Sequence, residues 1–262
     1  MRSVRTAAAC AAGAALLAAT AACGGGGPAA AGKAASGAPS PTGSTSPNPS
    51  ATPAGTPAGT PAGTPAGTPG PDAGRLKALV LAAGEKAGPY EVGEPVLDEP
   101  FSEMYEADPA VCGPLTTLGG AGHTAQAFAV VRVPGKPLEV GTEVLLRSYR
   151  DAAAAGSAMR SLAEAGERCG GGYTEERAVT DAKVLRVEPV EAPALGDEAR
   201  SYRIVTQDVK EKDVSLYQYL TLVRSGPVTL SFSSDIIDTK DFGGVPREIV
   251  TAQWEKFSRG PR

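Results

Sequence analysis

Four tandem copies of Thr-Pro-Ala-Gly run from Thr52 to Gly67, inside a stretch from Gly24 to Gly74 built almost wholly of Gly, Ala, Pro, Ser and Thr. Such a stretch lacks the apolar side chains needed to offset the entropy of ordering a chain, so it is expected to stay disordered, and folding is left to the residues C-terminal to it. Charge divides the sequence at the same place. The first 74 residues hold only Arg2, Arg5, Lys33 and Asp72, whereas residues 75–262 hold 22 basic and 28 acidic side chains, a net of −6. A segment of that length supports one domain around a single core. Its interspersed, mildly acidic charge gives no footprint for nucleic acid or for an anionic membrane surface, both of which need clustered Lys and Arg.

The first 22 residues read as a signal peptide. Two arginines lead into an apolar run over residues 6–22, rich in alanine, and Thr20-Ala21-Ala22 precedes Cys23. As a membrane span this run is too short and too weakly apolar. Small side chains directly before a cysteine resemble the lipobox of bacterial lipoproteins. That resemblance implies a diacylglycerylated Cys23 as the mature N-terminus; the alternative is an ordinary cleavage site beside it. Two acyl chains suffice for stable anchoring where one is marginal. Residues 23–74 then comprise the lipidated cysteine and a linker with a reach of about 40 Å, and residues 75–262 the folded domain. The location expected is extracytoplasmic, on the outer face of the cell membrane.

Within 75–262, apolar stripes at helical spacing predict helices over 75–87, 152–168 and 246–258, with Asp72 and Asp151 as caps and Pro246 at a first-turn position. Period-two alternation predicts strands over 124–133, 138–149, 183–190, 200–209, 214–224 and 228–234. The last three are joined by short turns, which forces antiparallel pairing. The fold class is α+β: an antiparallel sheet of about six strands with flanking helices.

Once Cys10 leaves with the signal and Cys23 is lipidated, Cys112 and Cys169 remain in an exported domain and are expected to pair as one disulfide. Their spacing fits no Cys-x-x-Cys redox or metal motif. His123, the one histidine, follows Gly119-Gly120-Ala121-Gly122 in a loop with no Gly-x-Ser-x-Gly elbow elsewhere, so neither a serine triad nor a metal site is expected. Asp235, Asp238 and Asp241 lack the pattern of a calcium loop and read as solvated. Asp197 and Glu198 are adjacent on a strand and would point to opposite faces, which argues against an acid/base pair. No catalytic residue, cofactor or metal is expected.

A family pattern emerges from these residues taken together. Asp108-Pro109 with Cys112 and Leu115, Tyr149 to Ala153 leading through Leu162 to Cys169, Gly196-Asp197-Glu198-Ala199, and Val223-Arg224-Ser225-Gly226 resemble lipid-anchored proteins of GC-rich Gram-positive bacteria. These in turn resemble the extracellular sensor domain of mycobacterial receptor Ser/Thr kinases. The resemblance implies a sheet with helices around a central ligand-binding cleft and no known reaction. It also marks a departure, since those sensors generally carry two disulfides where one pair is available here.

The function expected is that of a lipid-anchored, non-enzymatic ligand-binding or sensor-like domain, with a structural or interaction protein of the envelope as the alternative. Its partners would be the membrane, through the lipid, and a small amphipathic ligand or an envelope protein. Tyr217 and Tyr219, two apart on one strand, with Tyr202 from the preceding strand, are the candidate ligand-binding residues, because tyrosine joins apolar area to a hydroxyl. Replacing Cys23→Ala should abolish partitioning into the detergent phase; wild-type membrane retention of the processed variant would show that no lipid is attached there.

Overall fold

Alternating side chains build most of this domain, because the longest strands each have both faces covered. The computed structural model describes residues 67–136, 139–177, 180–236 and 238–260; the signal sequence, Cys23 and the linker through residue 66 lie outside them. The described residues contain four helices: α1 (Ala73–Leu79), α2 (Gly113–Thr116), α3 (Ala152–Arg168) and α4 (Arg247–Arg259). Their ten strands are β1 (Lys86–Ala87), β2 (Tyr90–Gly93), β3 (Glu106–Asp108), β4 (Ala125–Arg132), β5 (Gly141–Ser148), β6 (Tyr173–Glu176), β7 (Ala182–Val190), β8 (Glu198–Gln207), β9 (Ser215–Ser225) and β10 (Val228–Asp235). All pair antiparallel in one sheet of order β1-β2-β4-β5-β10-β9-β8-β7-β6-β3.

The sheet therefore has ten strands, not about six. The four added ones, β1, β2, β3 and β6, are two to four residues long. That is too short for a period of two to stand out, and they exist through their partners. The first helix is also shorter than its apolar stripe predicts. Asp72 caps it by accepting from the Arg75 amide at 2.8 Å, but it ends at Val80 because α4 intervenes. The buried Gln253 side chain donates to the Leu79 carbonyl and accepts from the Leu81 amide, both at 2.9 Å. Those bonds satisfy backbone groups at the helix end in a different geometry from a further helical turn. The α3 cap is as predicted, with Asp151 accepting from the Ala154 amide at 2.7 Å.

Helices cover both faces of the sheet. On one, Val144, Leu146, Leu230 and Phe232 pack with Leu76 of α1 and Ile249 of α4. On the other, Leu145, Ile204, Leu220 and Leu222 pack with Met159 and Leu162 of α3 and Leu115 of α2. Cys112, just before α2, is bonded to Cys169, which caps α3, with the Cα atoms 5.9 Å apart. This bond closes 57 positions of chain and ties the two helices of that layer together, a constraint the loop-entropy relation puts at about 4 kcal/mol.

The seat of α3 depends on one missing side chain. A Cβ on Gly166 would fall on the ring of Tyr202, so the helix approaches the sheet only because that position is glycine. Gly166→Ala should cost about 1–3 kcal/mol in urea unfolding through overpacking, and Tyr202→Leu in the same chain should recover most of it. A harmless Gly166→Ala would mean that α3 sits further from the sheet.

Candidate functional site

The tyrosines divide between the two faces. Arg203 lies opposite Tyr219 and Val205 opposite Tyr217, while Tyr202 lies opposite Leu220. Side chains paired across a ladder share a face, so Tyr217 and Tyr219 point together and Tyr202 points the other way, under α3 with Leu220 and Leu222. Tyr202 therefore does not join the tyrosine pair. A one-residue difference in register suffices to invert a side chain.

Around Tyr219 the face carries a polar cluster that no local pattern announces. The Tyr219 hydroxyl donates to Asp241 at 2.6 Å, and its ring meets Phe242 edge-on with centroids 5.0 Å apart. Arg203 donates to both Asp241 and Glu188 at 2.7 Å, and its guanidinium lies 5.7 Å from the centre of the Tyr217 ring. Burial pushes the Tyr219 hydroxyl up to about 12, helped by Asp241, so it stays protonated and donating. Burial raises the Asp241 carboxyl as well, but the Tyr219 hydroxyl, the Gly243 amide and Arg203 together hold it below its ordinary value. The expected solvated aspartate is thus a latch for the 238–243 loop, and the hydroxyl offered to a ligand is already committed.

A second cluster lies on the opposite face around Arg147, whose side chain is fully buried. Its guanidinium donates to Glu103 at 3.0 Å, to Gln126 at 3.3 Å and to the carbonyls of Thr117 and Leu118. Leu118 adopts a left-handed backbone (φ 55°) to turn its carbonyl inward, where Ser231 also donates to it at 3.1 Å. A Cβ on Gly120 would collide with the guanidinium. Glu103 also accepts from Gln126 at 2.9 Å, and these bonds to Gln126 and Arg147 outweigh burial to hold its carboxyl low. Next to it Glu143 accepts from the Phe101 amide and the Ser102 hydroxyl, both at 2.8 Å, while burial pushes its carboxyl up.

These bonds fix the second half of a strap running from Glu94 to Met104. Its first half, 94–99, makes no side-chain hydrogen bond or ion pair among the described residues, and Val96 is 84% exposed. Beside it the sheet edge is open. β2 pairs with β4 only over Val130–Arg132, while β4 pairs with β5 from Ala125 onward. Pro95 explains where the ladder stops: it has no N–H to donate and restricts Glu94 before it. From Ala125 to Ala129 the outer side of β4 has no neighbouring strand among the described residues. A groove of about 690 Å³ runs along it, floored by Gln126 to Ala129 and walled by Ala73, Lys77 and Val80 on one side and Leu97 and Asp98 on the other. A smaller one of about 400 Å³ lies beyond the strap, against Phe101, Val130 and Arg132.

The remaining sequence candidates take structural places. Asp197 accepts from the Gly226 amide at 2.7 Å and from Arg224 at 2.9 Å, bracing the β9–β10 turn. His123 Nδ1 lies 3.3 Å from the Gly120 carbonyl. Among the described residues no helix is long and apolar enough to cross a membrane.

The architecture so defined is a mixed α/β domain with a large antiparallel sheet and one disulfide. No family model matches the chain, and no curated protein matches it. Solved structures similar to it include the extracellular domain of PknH from Mycobacterium tuberculosis, at 12% identity and a TM-score of 0.49, covering 72% of this chain and 96% of that one. They also include a putative uncharacterized protein (Rv0999 ortholog) from Mycobacterium smegmatis, at 11% identity and a TM-score of 0.32, covering 64% of this chain and 78% of that one.

The Tyr219–Asp241 bond has a measurable consequence. Tyr219→Phe should destabilise the domain by about 1 kcal/mol, and with Asp241→Ala the two losses should fall short of additive, since both remove the same hydrogen bond. Because the Asp241 carboxyl is held below its unfolded value, this stability is present above about pH 4 and lost as the pH falls through the lowered value. The gap between wild type and Tyr219→Phe should therefore close in acid; a constant gap would assign the hydroxyl another partner.

Proposed function

We propose that the chain is a lipid-anchored extracytoplasmic protein whose globular part is a non-enzymatic binding domain, sensor-like in taking up a ligand at the β4 edge. The observation that carries this reading is the groove along Gln126–Ala129, which combines a mostly apolar floor, a volume of about 690 Å³ and backbone groups without a strand partner among the described residues. Ligand sites are mostly apolar concavities of about 300–1,000 Å³ with a few orienting polar groups. The exposed apolar side chains of the strap, Val96 and Leu97, lie at this groove and at the smaller one beside it. Two acyl chains on Cys23 and a linker of some 40 Å reach would hold the domain near the membrane while leaving it free to meet a ligand in solution or on a neighbouring envelope protein.

The tyrosine pair is a less suitable place for that ligand, because the Tyr219 hydroxyl and ring are already covered by Asp241 and Phe242. Native mass spectrometry of the full-length protein, extracted from its own envelope in detergent, tests the reading. The expected spectrum contains a bound species beyond the lipid anchor that is lost in Leu97→Ser and kept in Tyr217→Phe. A species lost in Tyr217→Phe and kept in Leu97→Ser would move the site to the tyrosine face, and no bound species in any preparation would oppose a ligand-binding function.

A further inference from the structure

Resting on the reading of the β4 edge as a binding site, we infer that its ligand is an extended, basic peptide segment that adds a strand to the sheet beside Ala125–Ala129. The first ground is the backbone. An antiparallel strand directs the peptide groups of alternate residues to each side, so the outer side of β4 presents donors and acceptors that only another extended chain satisfies in series. The place vacant among the described residues is in line with β2, which occupies the neighbouring position as far as Gly93, opposite Val130. A strand entering there would continue the ladder from Ala129 to Ala125, about 17 Å at the rise of an antiparallel strand.

The second ground is charge. The strap itself, from Glu94 to Met104, holds four acidic residues, Glu94, Asp98, Glu99 and Glu103, and no Lys or Arg, and two of them, Glu94 and Asp98, line the groove. Among the described residues only Glu103 of these has an ion-pair partner, Arg147. Lys77 is the single base lining the groove, against Glu94 and Asp98. An added strand would send alternate side chains to the two walls. Those beside Ala127 and Ala129 meet α1 and Val92, an apolar surface; those beside Gln126 and Phe128 meet the acidic strap. Apolar residues alternating with Lys or Arg fit both walls at once.

A peptide of about seven residues alternating valine and lysine tests this by calorimetric titration into the detergent-solubilised full chain. It should bind one to one, at least about tenfold more tightly than the same peptide with glutamate for lysine. Two N-methylated versions, blocked on opposite edges, should differ: one weakened at least about tenfold, the other near the parent. In the chain, Glu94→Gln with Asp98→Asn should weaken binding several-fold and leave the urea unfolding curve unchanged. No saturable binding up to about 1 mM, equal affinity for both N-methylated versions, or self-association of the chain that excludes the peptide would each overturn the inference. If the envelope-extracted protein carries a non-peptide molecule released by Leu97→Ser while the valine–lysine peptide does not bind, this inference falls and the binding function stands; if neither ligand is found, both fall.

Discussion

One buried cation organises the side of the sheet that carries the proposed site. A guanidinium removed from water is costly unless its donors are used, and Arg147 directs them at three separate pieces of chain: the strap through Glu103, the 117–118 turn through two carbonyls, and β4 through Gln126. Each piece is shaped to meet it. Leu118 accepts a left-handed backbone, which costs an ordinary residue about 1–2 kcal/mol, and Gly120 has no side chain where the guanidinium lies. Removing Arg147 would leave the strap held by Glu143 and by the Gln126–Glu103 bond, and the two turned-in carbonyls with fewer partners.

The strap, so pinned, decides what remains open. Its fixed half covers the part of the β4–β5 face that α3 does not reach, and its free half stands off the edge where β2 has stopped at Gly93-Glu94-Pro95. Helix α1 stands on the other side. The groove is therefore the space left between two covered faces at a sheet edge, and its acidity comes from the strap that bounds it. Unprotected edges invite pairing with other chains; here the short β2, Pro95 and the charged strap narrow the opening to five residues.

How much was legible in the sequence depends on the range of the interactions responsible. The six long strands, α3 and α4 declare themselves through periodicity and local caps, and Cys112 and Cys169 are the two cysteines left to pair once Cys10 and Cys23 are read as signal and lipidation site. The two-residue β1 and three-residue β3 have no pattern to read, and α1 stops early because Gln253, more than 170 positions away, binds its end. Strand spacing fixes faces within a strand but not the register between strands, which is why Tyr217 and Tyr219 share a face as expected and Tyr202 does not join them. The groove has no local signature either: Arg147 reads as one polar residue after Leu145-Leu146, and Glu103 is 44 positions from it. Of the region's features, the strap's four acids, Glu94, Asp98, Glu99 and Glu103 with no base among them, are what sequence could have offered in a domain of otherwise mixed charge.

The proposed site requires β4 to be a strand with one open side over half its length, and residue-resolved amide hydrogen exchange of the unliganded protein reads that directly. Between Ala125 and Ala129, amides facing β5 should be protected and those on the outer side should exchange quickly, giving an alternating pattern that gives way to continuous protection over Val130–Arg132, where β2 pairs. Uniform protection from Ala125 to Ala129 would show that the edge is already filled, and would contradict the site built on it.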